Sequence, residues 1–107
     1  MIPRVVILGG GVGGTIVANR LARRLRRREA EVVVVDATDR HVYQAGLLYV
    51  PFQDSNPENL VRPVRRLLDR RVEFLEGSAT AINPPAHTVQ VGGETLTFDW
   101  LVLATGT

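Results

Sequence analysis

The chain has 107 residues, 45% of them hydrophobic and 22% charged, which allows one compact domain and excludes disordered or collagen-like architectures. It contains no cysteine, so a disulfide framework, a thiolate zinc site, an iron–sulfur cluster and a cysteine nucleophile are excluded within these residues. Thirteen basic residues against eleven acidic ones leave a net charge of only +2, and the pI near 9.9 reflects that every basic residue is arginine. A nucleic-acid surface is therefore not expected, and His41 and His87 have no ligand spacing between them, so neither is a metal site.

Arg4 to Leu8 is a short, β-branched apolar run closed by glycines, which predicts a buried parallel strand. From Val12 the pattern changes to Ile16, Val17, Leu21 and Leu25, with small Ala18 and Ala22 beside them and arginines elsewhere, the period of an amphipathic helix lying on a sheet. Glu31 leads into Val32-Val33-Val34-Val35, a second buried strand ending at Asp36, so the opening residues form one right-handed βαβ unit. The stretch from Ala37 to Gln53 carries His41, Tyr43, Tyr49 and Phe52 without a clean period, and is expected as a long functional loop.

Asn56-Pro57 opens a second expected helix running to Asp69, with apolar positions at Leu60, Val64, Leu67 and Leu68. Val72 to Leu75 is a third strand, closed by Gly77. The period then becomes two: Thr88 to Val91 and Glu94 to Phe98 alternate around Gly92-Gly93, which suits a tight hairpin turn with positive φ. Ala79 to Ile82 completes a small antiparallel meander, and Trp100 to Ala104 returns to the all-apolar parallel style before Thr105-Gly106-Thr107. The fold class expected is α/β, a Rossmann-like parallel sheet with flanking helices and a small antiparallel β-meander.

The chemistry concentrates in Gly9-Gly10-Gly11-Val12-Gly13-Gly14, a G-x-G-x-x-G pattern through Gly9, Gly11 and Gly14. Gly9 permits the turn off the strand, Gly11 lets a pyrophosphate approach the backbone, and Gly14 lets the helix lie close to the strand. The motif follows a strand, opens a helix, and is followed 22 residues after Gly14 by Asp36, placed to accept the hydroxyl hydrogens of an adenosine ribose. An aspartate there repels a 2′-phosphate, and Arg40, a single arginine in the following loop, is poor evidence for an offset, so the ligand is a dinucleotide with a free ribose, either FAD or NAD.

Leu101-Val102-Leu103-Ala104-Thr105-Gly106 after the meander resembles the alanine–threonine–glycine signature of the two-dinucleotide-binding flavoproteins (pyridine nucleotide–disulfide oxidoreductase-like), and the resemblance covers the whole chain. It implies that the fingerprint binds FAD and that the closing loop returns to the same cofactor. Asp39 to Phe52, with Tyr43-Gln44-Ala45-Gly46 at its centre, is similar to the segment after the acid in sulfide:quinone oxidoreductases and type II NADH dehydrogenases. Ala45 departs from that pattern by replacing a proline. The cofactor-binding residues so implied are Gly9, Gly11, Val12, Gly13, Gly14, Asp36, Ala37, Gln44, Ala79, Ala104, Thr105 and Gly106, with no catalytic residue among them.

The resemblance further implies a longer parent with a second domain that binds NAD(P)H, redox cysteines in its later parts, and electron flow from a small-molecule donor, sulfide or NADH, to a quinone. Residues 1–107 are then an FAD-binding Rossmann-like domain that is incomplete. The alternative is a stand-alone nucleotide-binding module without catalysis. A free carboxylate at Thr107 beside a pyrophosphate would be repulsive, which favours the longer parent. The start has no secretory leader and the run from Val5 to Asn19 contains five glycines, too short for a spanning helix of about 20 residues. The expectation is a cytoplasmic location, with peripheral contact at the cytoplasmic membrane face and the oligomeric state left open.

Overall fold

The computed structural model describes residues 2–26, 29–38, 41–42 and 61–105. Its centre is a parallel four-stranded sheet of β1 (Arg4–Leu8), β2 (Glu31–Asp36), β5 (Val72–Glu76) and β9 (Trp100–Leu103), in the order β5-β2-β1-β9. Val6 lies in register with Val33 on one side and Leu101 on the other, and Val34 with Phe74. Helix α1 (Val12–Arg24) crosses from β1 to β2 and covers one face, where Val5, Ile7, Val32 and Val34 pack with Ala18. The opposite face, through Val6, Leu8, Val33 and Val35, packs against Val89, Val91 and Phe98. Both faces of β1 and β2 are thus covered, the physical reason their sequences are apolar without alternation. Each valine so buried stabilises the fold by about 1.5–3 kcal/mol.

The covering layer on that second face is the antiparallel sheet β6 (Ala79–Asn83), β7 (Thr88–Val91) and β8 (Glu94–Thr97), in sequence order. Only Gly92 of the hairpin pair has positive φ, at +60°, as a type II′ turn requires of its first central residue. Val89 and Val91 point into the core while Gln90 is exposed, so the period of two in β7 is the period of its burial. Phe98 lies just beyond β8; its amide donates to the carbonyl of His87 at 2.9 Å and its ring stacks on the His87 imidazole at 5.7 Å. Asp99 then ties this layer back to β1, accepting the Arg4 amide at 2.7 Å and donating its own to the Arg4 carbonyl at 2.8 Å.

One expected element is corrected. Where the helix expected from Asn56 to Asp69 falls on described residues, from 61 onward, there is a short strand β4 (Val61–Arg62), paired antiparallel with β3 (His41–Val42), and then a single-turn helix α2 (Val64–Leu67). The cause is Pro63, extended at φ −60° and ψ 131°. A proline inside the helix would lack its amide, and it disfavours helical geometry at the residue before it, here Arg62. The same pairing shows that the stretch from Ala37 to Gln53 is not loop throughout. Val64 is fully buried, and Asn19 of α1 secures the following turn: its amide group donates to the Leu67 carbonyl at 2.8 Å and its oxygen accepts the Asp69 amide at 2.7 Å.

Candidate nucleotide-binding groove

The candidate site lies at the carboxyl ends of the parallel strands, where β1 connects through α1 to β2 on one side and pairs with β9 on the other. In open α/β sheets this reversal of strand order leaves a crevice for a ligand. Gly9 leaves β1 with φ +117°, and a Cβ on it would lie 2.5 Å from the carbonyl oxygen of Ala104. Two backbone bonds close this corner: the Gly9 amide donates to Val35 at 2.7 Å, and the Ala104 amide donates to Leu8 at 2.8 Å. A Cβ on Gly14 would fall on the carbonyl oxygen of Gly9, so the first turn of α1 lies directly against the end of β1.

Gly11 and Gly13 differ in kind. A Cβ on either would meet no atom of the described residues within 4 Å, and Gly11 has an ordinary extended backbone at φ −76° and ψ −163°. Among the described residues, neither packing nor backbone strain calls for glycine at position 11. The helix that begins beside it has no side-chain cap and no acidic residue in its first turn. Its first amides therefore present partial positive charge to the open space over Gly11, an environment that favours an anion.

Asp36 ends β2 half-buried, with Oδ2 accepting the Gly10 amide at 2.5 Å and Oδ1 accepting the Thr38 amide at 3.2 Å. Its backbone carbonyl accepts the Gly77 amide at 2.7 Å, which brings the segment from Gly77 to Ala79 alongside the end of β2. Between these parts lies a groove of about 470 Å³. It is lined by Leu8 and Val35 from the strand ends, by Gly9 and Gly11, by Asp36 and Ala37, by Gly77, Ser78 and Ala79, and by Ala104 and Thr105. That volume falls within the range of about 300–1,000 Å³ usual for small-molecule sites. A smaller cleft of about 320 Å³ beside Ala22, Leu25 and Arg70 contains none of the glycine-loop residues.

Seven of the residues singled out in the sequence thus line one groove: Gly9, Gly11, Asp36, Ala37, Ala79, Ala104 and Thr105. Val12, Gly13 and Gly14 form the first turn of α1 next to it. Gln44 and Gly106 fall outside the described residues, as do Tyr43 and Arg40. Sequence reasoning missed Gly77 and Ser78, which enter the groove because β5 ends level with Asp36, and Thr15, whose buried hydroxyl donates to the Gly10 carbonyl at 3.2 Å. A threonine directly after the last fingerprint glycine was the available signal for it.

Among the described residues no cluster of histidine, aspartate and glutamate could hold a metal ion, and no helix is long and apolar enough to cross a membrane. The group with the clearest electrostatic perturbation lies away from the groove. Asp69 is lowered from 3.8 to about 2 by the side-chain hydrogen bond from Arg71, with the Arg71 amide adding to it, and Arg71 is correspondingly raised.

Residues 3–107 match the sequence pattern of the family described as Pyridine nucleotide-disulphide oxidoreductase. The chain belongs to that family. Its relatives within the family include the mitochondrial sulfide:quinone oxidoreductase of Dictyostelium discoideum, 24% identical over 98% of this chain and 23% of the relative. The type II NADH:quinone oxidoreductase of Staphylococcus aureus is 29% identical over 96% of this chain and 26% of the relative. Among solved structures, the sulfide:quinone oxidoreductase of Aquifex aeolicus superposes with a TM-score of 0.82 at 25% identity, covering 97% of this chain and 24% of that one. The NAD-dependent persulfide reductase of A. fulgidus gives a TM-score of 0.79 at 30% identity over 96% of this chain and 21% of that one. The chain therefore spans about a quarter of the length of the proteins it matches.

Proposed function

We propose that the groove holds the ADP half of FAD and that this chain is the FAD-binding segment of a larger flavin-dependent oxidoreductase. The observation that carries the reading is the open space over Gly11, a glycine that no contact among the described residues calls for, beside a helix start without cap or acid. These residues fit a pyrophosphate: the amides of Gly11, Val12 and Gly13 meet its oxygens, and Gly9 and Gly14 hold the loop against β1 and β9. Asp36 and Ala37 flank the adenosine ribose, Ala79 offers its backbone to the adenine, and Ala104-Thr105 closes the groove from the β9 side. Gln44 and Gly106 belong to the same proposed set by resemblance. Both Asp36 oxygens already accept a backbone amide, yet each retains a lone pair for a ribose hydroxyl. FAD, when bound, supplies the two-electron carrier, while this chain contributes binding and orientation.

For the parent we propose electron transfer from sulfide to a quinone, supported by the fold match at 25% identity and by the Tyr43-Gln44 resemblance. NADH as donor is the second reading, favoured by the 29% identity to the type II enzyme. In either, residues 1–107 are the first part of the FAD domain, and an NAD(P)H site belongs to the remainder. Quinone as acceptor suggests contact with a membrane surface from the cytoplasmic side. The test is anaerobic addition of sulfide or NADH to the purified natural polypeptide that contains this chain. Bleaching of the flavin's visible absorption by sulfide supports the first reading and bleaching by NADH the second. A preparation without flavin that gains none from added FAD contradicts both.

A further inference from the structure

The fingerprint gives roles to Gly9, Gly11 and Gly14 and none to Gly10, yet both backbone polar groups of Gly10 are held by side chains. Its amide donates to Asp36 Oδ2 at 2.5 Å, and its carbonyl accepts the Thr15 hydroxyl at 3.2 Å. A Cβ on Gly10 would lie 3.1 Å from Asp36 Oδ2 and 3.1 Å from Cγ1 of the fully buried Val64, so the slot admits no larger residue without displacing one of them. Thr15 acts twice, because its own backbone amide donates to the Gly11 carbonyl at 3.0 Å.

Peptide planarity gives these bonds a consequence. In a trans peptide the N–H points opposite to the preceding C=O. With the Gly10 and Gly11 carbonyls drawn toward Thr15, the Gly11 and Val12 amides are turned away from it, and Gly11 itself lines the groove. We propose that Asp36, through the Gly9–Gly10 peptide, and Thr15, through the Gly10–Gly11 peptide, clamp Gly10 from its two ends, making Thr15 a positioning residue for the phosphate-binding amides and joining the sugar end of the site mechanically to its phosphate end. This rests on the nucleotide reading above. It assigns Thr15 no contact with the ligand: the residue is 9% exposed and acts through the backbone it holds.

The test compares the full chain with its Thr15→Val, Thr15→Ser, Asp36→Asn and Thr15→Val/Asp36→Asn variants. Binding of ADP and of adenosine is measured by calorimetry, and hydrogen exchange of the Gly10 amide by NMR without ligand. Removing the hydroxyl weakens ADP about fivefold, the equivalent of one ordinary hydrogen bond, and changes adenosine by less than about twofold. Serine at position 15 restores ADP affinity, and the two single effects combine to less than their product because both act through Gly10. Gly10 exchange speeds up in both single variants. The clamp is overturned if Thr15→Val binds ADP as the unsubstituted chain does, or if ADP and adenosine weaken equally. Unchanged Gly10 exchange in both variants overturns it without reference to any ligand. An unsubstituted chain that binds no ADP while Gly10 exchange responds as expected sinks the nucleotide reading, and with it the assigned role of the clamp. Should valine prevent folding, Thr15→Ala gives the same comparison.

Discussion

Alanine at Gly14 and alanine at Gly11 add the same methyl group three residues apart, with opposite expected consequences. At Gly14 the new Cβ falls on the Gly9 carbonyl and lies 3.4 Å from Ile7 Cγ2, so α1 must lift from the end of β1. The obstacle is backbone rather than a movable side chain, which puts the cost near the top of the range of about 1–3 kcal/mol for overpacking. Helix propensity returns about 1 kcal/mol of this, leaving a net loss of about 2 kcal/mol and a fall in Tm of roughly 10 °C. At Gly11 the Cβ enters open space. Losing glycine at the N-cap costs about 0.5 kcal/mol, and restricting the unfolded chain returns a similar amount, so stability stays within about 0.5 kcal/mol of the parent. The methyl group instead occupies the place proposed for the phosphates, and ADP affinity falls about tenfold or more. Thermal unfolding by circular dichroism without ligand and calorimetric titration with ADP measure the two effects separately. A Gly14→Ala chain that melts with the parent, or a Gly11→Ala chain that binds ADP undiminished, would refute the division of labour among these glycines.

Three further outcomes are expected. Asn19→Ala removes both bonds that fasten α1 to the turn after α2, and lowers unfolding free energy by about 1–2 kcal/mol in a denaturant titration without changing its slope. ADP carrying an added 2′-phosphate binds more weakly than ADP because of the Asp36 carboxylate, and Asp36→Asn narrows the difference in a competition titration. Asp69 titrates near 2 by NMR, and Arg71→Ala moves it part of the way back to 3.8, since the amide at position 71 remains. Because its pKa is lower folded than unfolded, the Asp69–Arg71 pair contributes stability above about pH 3.8 that is lost as pH falls toward 2.

What could be read in the sequence was local. Val32 to Val35 announces a strand covered on both faces, and Gly92-Gly93 between alternating runs announces a hairpin. Each signal is carried by neighbours in the chain. Which sheet face the meander covers depends on Val89 and Val91 meeting Val33 and Val35, residues more than fifty positions apart, and no local pattern encodes that. The helix expected from Asn56 failed for another reason: the apolar period at Leu60, Val64 and Leu67 outweighed the proline at position 63, although the steric effect of that one residue decides the geometry. At the site, fingerprint spacing brought Gly9, Gly11 and Asp36 into one groove, but spacing says nothing of hydrogen-bond partners. That Asp36 holds the Gly10 amide across 26 positions, and that Thr15 takes its carbonyl, emerges only from the packed backbone.

The central claim is that this groove recognises the ADP half of FAD. The most direct measurement is a titration of FAD into the purified natural polypeptide that contains this chain, freed of flavin, followed by flavin fluorescence, with ADP and then FMN as competitors. The account predicts saturable FAD binding that ADP displaces and FMN does not. Displacement by FMN with indifference to ADP would place recognition at the flavin ring and contradict it.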